Sequence, residues 1–220
     1  TFAPYPNDIG RVSVDDKPTT LDDVDSLALH ANNPGILMAV HRRMNAPDLL
    51  FAINISTGIM VDSYFGDASY LVLQDRAPGS VGPLLDIDDL LFDNRVGGSA
   101  SPVLLGLANN RGNDSALVKI DVTTGAFERL GTITDQNKNK TVDDLEGIAF
   151  WNDQGRTKII GSTGTNVEGN PLGDTLFEIH YAPNAEANAT IMATELFEFD
   201  GPAIDVEGLA SPSPPMIRSI

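Results

Sequence analysis

A short acidic motif returns four times along this chain at a nearly constant interval, and that repetition restricts the folds open to it. The copies are DVDSLAL (23–29), DIDDLLF (86–92), DLEGIAF (144–150) and DVEGLA (205–210). Each runs Asp, a branched apolar residue, Asp or Glu, any residue, then an apolar residue. The first residues, Asp23, Asp86, Asp144 and Asp205, are 63, 58 and 61 positions apart. Self-similarity at a fixed period marks stacked copies of one supersecondary unit.

More than the motif recurs. A compact apolar run follows each of the first three copies: ILMAV (36–40), VLLGLA (103–108) and KIIGS (158–162). Next comes a strand-like segment ending in a turn: DLLFAINISTG (48–58), SALVKIDVTTG (115–125) and DTLFEIHYAPN (174–184). A fourth segment closes each unit: GIMVDSYF (58–65), GAFERLGTI (125–133) and ATELFEFD (193–200). Segments of 4–8 residues rich in Val, Ile, Leu, Phe and Thr, separated by Gly, Asn, Asp and Pro, read as strands. The fold class is therefore all-β. Four strands per unit at this period predict a β-propeller of four-stranded antiparallel blades, favoured over a two-sheet sandwich because a sandwich has no reason to repeat.

The repeats cover about 21–65, 84–133 and 142–200. The fourth has only DVEGLA, a Pro-rich turn (SPSPP, 211–215) and MIRSI (216–220). At the other end, IGRVSV (9–14) reads as an orphan fourth strand and TFAPYP (1–6) as a third. One domain over 1–220 follows, with a last blade built from 201–220 plus 1–14, so that closure of the ring hides its strand edges. Ends that fail to meet within one chain could meet between chains, giving a homo-oligomer or a filament.

Charge narrows the partners. Fourteen Lys plus Arg stand against 31 Asp plus Glu, a formal charge of −17, which argues against nucleic acid and anionic membrane surfaces. No apolar run approaches the ~18–20 residues of a membrane span. The first residues lack the basic and apolar regions of a signal peptide, and a start at Thr suggests a processed chain. Cysteine is absent, which excludes disulfides and thiolate metal sites. Sequons at Asn54, Asn113, Asn139 and Asn188 fit a secreted protein, and the expected location is extracellular.

Two acidic features point to a hard cation. In DQNKNKTVDDLEGIAF (135–150), Asp135, Asn137, Asn139, Thr141, Asp143 and Glu146 take positions 1, 3, 5, 7, 9 and 12 of a twelve-residue window. Ca²⁺ takes six to eight oxygens, which alternate residues of a tight loop can supply. The competing reading is a solvated polar turn. Separately, residues i and i+2 of a strand share a face. That pairs Asp144 with Glu146, Asp23 with Asp25, Asp86 with Asp88 and Asp205 with Glu207. First strands of blades line the channel, so these carboxylates would crowd towards one mouth and call for a cation or strong hydrogen bonding. The alternative is that the first Asp of each motif clasps backbone amides of the neighbouring unit.

The window resembles the EF-hand calcium loop, which implies side chains from Asp135, Asn137, Asn139 and Glu146 with the carbonyl of Thr141. It departs at Lys140, where that family has Gly, in the charges of Lys138 and Lys140, and in lacking flanking helices. DLEGIA (144–149) and DVEGLA (205–210) resemble the motif of secreted calcium-dependent propellers related to β-propeller phytases and esterase-like phytase domains. That resemblance implies a calcium-rich channel and, in catalytic members, phosphoester hydrolysis. Those phytases are larger and hold phosphate with Lys and Arg beside calcium, whereas here only Arg42, Arg43, Lys138 and Lys140 are concentrated.

His30, His41 and His180 form no metal motif, GSTGTN (161–166) lacks the Lys of a phosphate loop, and no Ser elbow exists. Trp151 reads as packing. The expectation is an extracellular, calcium-binding module of binding or structural role without catalysis. The alternative is a calcium-dependent phosphoesterase.

Overall fold

Every regular element among the described residues is a strand. This is a computed structural model in which residues 12–14, 17–19, 24–43, 46–75, 85–95, 102–110, 114–153, 156–163, 175–183, 188–198 and 209 are described. Val12–Val14 (β1) and Lys17–Thr19 (β2) pair antiparallel with each other. A small antiparallel sheet then follows in the order Val24–Leu29 (β3), Ile36–His41 (β4), Leu49–Asn54 (β5) and Ile59–Met60 (β6). Tyr70–Val72 (β7) also pairs with β5. Of the predicted fourth strand of this unit, 58–65, only Ile59–Met60 pairs with β5, and turns lead on to β7.

The main sheet is larger. Leu85–Asp93 (β9), Val103–Asn110 (β10), Ser115–Ile120 (β11) and Ala126–Asp135 (β12) form one antiparallel meander. Leu145–Asp153 (β14), Arg156–Thr163 (β15), Thr175–Ile179 (β16) and Ala189–Glu198 (β17) form a second. Two short strands, Gln74–Asp75 (β8) and Lys140–Thr141 (β13), add to β12.

The propeller expectation fails at one place. β12 and β17, the last strands of the two meanders, pair in parallel, with Gly131 opposite Ala189 and Asp135 opposite Ala193. Propeller blades are separate sheets stacked face to face. Here the two meanders are one sheet in the order β14-β15-β16-β17-β12-β11-β10-β9. The end strands β9 and β14 pack together, and the Ile148 amide donates to Asp89 Oδ2 at 2.7 Å. The result is a nearly closed eight-stranded mixed barrel beside the small antiparallel sheet. The last unit expected from 201–220 plus 1–14 lies almost wholly outside the described residues, of which Val12–Val14 (β1) pairs with β2.

The apolar second strands explain how the two sheets share a core. Side chains of β10 alternate between two apolar layers. Leu104 and Ala108 join Val118, Ile120, Ile87 and Phe92 against Met38, Val40 and Leu50 of the small sheet. Leu105 and Leu107 point the other way, joining Leu117, Ile133, Leu145, Ile148, Ile159 and Phe177 inside the barrel. Fully burying one such side chain is worth ~1.5–3 kcal/mol, which is why β10 can afford no polar alternation.

Gly131 makes the parallel seam possible. A Cβ there would collide with the Ala189 carbonyl oxygen and crowd Ile191. Gly131→Ala is expected to destabilise the protein by ~1–3 kcal/mol, the usual cost of overpacking, read as a loss of several degrees in thermal unfolding. Gly35→Ala, where a Cβ meets only an ordinary contact, is the control and is expected to melt like the parent.

Candidate functional site

The acidic motifs do not run as regular strands. In β3, Val24 pairs with His41 and Ser26 with Val40, so Asp25 is skipped. In β9, Ile87 pairs with Ala108 and Asp89 with Leu107, skipping Asp88. In β14, Leu145 pairs with Thr163 and Gly147 with Ser162, skipping Glu146. The third residue of the motif is therefore the extra residue of a β-bulge in all three described units. A bulge re-aims its side chain and breaks strict alternation, which removes the basis for pairing Asp86 with Asp88 or Asp144 with Glu146 on one face.

These bulged acids turn inward. Asp25 Oδ2, Asp88 Oδ2 and Glu146 Oε2 are all buried, and Asp88 Oδ2 has no hydrogen-bond partner. Arg42, just past β4, reaches Asp25 Oδ2 with its Nε at 2.6 Å. Burial pushes the Asp88 carboxyl up to about 8, with Arg42 opposing and Asp86, Asp25 and Glu146 adding to the rise. The mutual action of Asp25, Asp86, Asp88 and Glu146 places motif acids from three units in one electrostatic neighbourhood. Asp23, Asp205 and Glu207 lie outside the described residues.

Asp48, Ser115 and Asp89 clasp backbone amides of neighbouring units. Asp48 and Ser115 open the third segment of successive units, and each takes the amide of the second motif residue in the next. Ile87 N donates to Asp48 Oδ2 at 3.0 Å, and Leu145 N to Ser115 Oγ at 2.9 Å. Asp48 also takes the Arg43 amide, and Ser115 donates to Asn109 Oδ1. Asp89 takes Leu90 N and Ile148 N. Burial raises the Asp89 carboxyl to about 7 while these two amides pull it back. The signal for Asp48 and Ser115 was available in the sequence: a small oxygen acceptor opens both DLLFAIN and SALVKID.

The loop at 135–146 splits between two neighbourhoods. Residues 135–141 are a hairpin: Thr134 pairs with Thr141 and Asp135 with Lys140. Asp135 is buried, and its Oδ1 takes Asn137 N at 2.7 Å and Lys138 N at 3.2 Å. Its Oδ2 faces Lys138 Nζ at 3.7 Å. Asn139 supplies the left-handed turn at φ 49°, in the place of the expected Gly one residue on. Asn137 and Thr141 are exposed, Asp143 Oδ1 takes the Thr141 hydroxyl at 3.3 Å, and Asp144 is left-handed at φ 57°. Glu146 belongs with Asp88, not with Asp135. The donors of this loop do not fit a calcium shell, because Asp135 is committed to amides and an ammonium. Among the described residues, no three His, Asp or Glu side chains are arranged to hold an ion by themselves.

The three histidines sit on separate segments of the chain. His30 packs on Phe92 and Tyr64 with ring centroids 4.9 and 6.3 Å away, and burial lowers its pKa. His41 is buried in β4, and His180 Nε2 lies 2.8 Å from Thr194 Oγ1. Trp151 is exposed, with Lys158 Nζ 5.9 Å from its ring centroid. Sequence reasoning missed Arg95, which grips buried Asp93 through two side-chain bonds of 2.8 and 3.0 Å and lies over Phe150 and Tyr181. The chain matches no family model, and no curated protein is detectably similar to it.

The raised carboxyls carry a pH signature. The folded chain holds the Asp88 and Asp89 protons to about 8 and 7, whereas an unfolded chain releases them near 4. Stability contributed by these protons is complete below pH ~4 and lost as pH rises through 7–8. In calcium-free buffer, unfolding free energy is expected to fall across that window, and Asp88→Asn is expected to flatten the fall above pH 7. A profile with the same slope in Asp88→Asn would contradict the assignment.

Proposed function

We propose that the chain is an extracellular β-module of binding or structural role, without catalysis, whose folded state is stabilised by calcium taken up beside the bulged carboxylates. The observation that carries this reading is the buried, unpartnered Oδ2 of Asp88, set among Asp25, Asp86 and Glu146. A buried carboxylate among like charges must hold a proton or gain a cation. Calcium accepts oxygens from carboxylates, backbone and water, so the protein need not supply the whole shell. The four sequons support an extracellular setting. A phosphoesterase would need basic side chains facing the carboxylates to hold phosphate. The basic group acting on Asp88 is Arg42, and Asp25 engages it.

Thermal unfolding with excess calcium and then with a chelator tests the reading. A ligand at a hundred times its Kd adds ~2.7 kcal/mol to native stability, so calcium is expected to raise the melting temperature by about 5–10 °C. Asp88→Asn and Glu146→Gln are expected to abolish most of that rise. A parent protein whose melting is indifferent to calcium would sink the proposal and leave the carboxyl proton as the only charge compensation.

A further inference from the structure

The hairpin at 135–141 has the spacing of a cation loop, yet a side chain of its own stands against the acids. Lys138 Nζ lies 2.8 Å from Glu195 Oε2 on β17 and 3.7 Å from Asp135 Oδ2 at the end of β12. Glu198 adds to the negative field on it. The bridge sits at one end of the parallel seam. Asp135 is the last residue of β12 paired with β17, opposite Ala193, and the next amide, Gln136 N, donates to the Ala193 carbonyl at 2.8 Å. Thr194 Oγ1 in turn donates to Gln136 Oε1 at 3.3 Å.

We propose that Lys138 is the counter-ion of this loop: its ammonium bridges Asp135 to Glu195 and staples β12 to β17 without a metal. The chemistry is consistent with the positions. Asp135 spends one oxygen on the turn amides and directs the other at the ammonium, so the carboxylate is neutralised from within the chain. The hydrogen bond to Glu195 strengthens the Lys138 charge. A second positive charge from an ion would meet Lys138 at close range, where like charges repel. Lys138 remains more than half exposed, so the staple is a modest, screened interaction and not a buried pair.

A double-mutant cycle on the whole chain tests this. Lys138→Met and Glu195→Gln are each expected to lower the melting temperature by ~1–3 °C. The double variant is expected to melt no lower than the weaker single one, because both remove the same bridge. In about 1 M salt the differences should shrink. Asn137→Ala serves as the metal control: its exposed side chain would be a ligand in a calcium loop but takes no part in the bridge. It is expected to keep the parent's melting temperature and whatever calcium response the parent has. Additive effects of Lys138→Met and Glu195→Gln would overturn the proposal, as would loss of the calcium response in Asn137→Ala. The calcium effect assigned to Asp88 and Glu146 is read in different variants, so each idea fails independently.

Discussion

Parallel pairing between residues 131–135 of β12 and 189–193 of β17 turns two antiparallel meanders into one sheet. Each meander alone is a twisted four-stranded ribbon with an exposed outer edge, which natural sheets cover or charge. Joining the outer edges leaves β9 and β14 to approach each other and encloses Leu105, Leu107, Ile133, Leu145, Ile148 and Ile159 between them. The small sheet then has a formed surface of β9, β10 and β11 to pack on, and the second apolar layer follows. A glycine at 131 is what allows the backbones this close.

Where β3, β9 and β14 come together, the structure spends polar groups in two ways. Asp48, Ser115 and Asp89 satisfy backbone amides of neighbouring strands, the ordinary requirement for buried N–H groups. Asp25, Asp88 and Glu146, the third residue of each motif, are displaced from the ladder by bulges. Buried charge is costly to keep, and Asp88 Oδ2 has no hydrogen-bond partner. The same position is bulged and acidic in three units, which is why the site is placed there and not in the more conspicuous loop at 135–146.

In that loop the spacing alone leaves two readings open. Its alternating oxygens match a cation loop, but Asp and Asn alternate equally well in a hairpin whose first Asp caps the turn amides. Lys138 reaches Glu195, fifty-seven residues away in the chain, a neighbour that no window of sequence contains. Strict alternation of i and i+2 acids is interrupted for a local reason. A bulge adds one residue to one strand and shifts every later side chain.

The sequence by itself determined the strands and their grouping. Strict recurrence of apolar runs and turn residues places β3–β5, β9–β12 and β14–β17 close to their true positions, because burial on one or both faces of a strand is written in residue type. It also marked the motif acids as a place where units meet, while the acceptors that open the third segments, Asp48 and Ser115, were left unread. Only the tertiary structure decided that β12 and β17 pair. Main-chain hydrogen bonds between distant segments involve groups that every residue carries, so no side-chain pattern announces them. The same holds for the bulges at Asp25, Asp88 and Glu146, which are set by how each ladder keeps register across the joined sheet. Residue type chose which segments are strands, and backbone pairing chose which strands are neighbours.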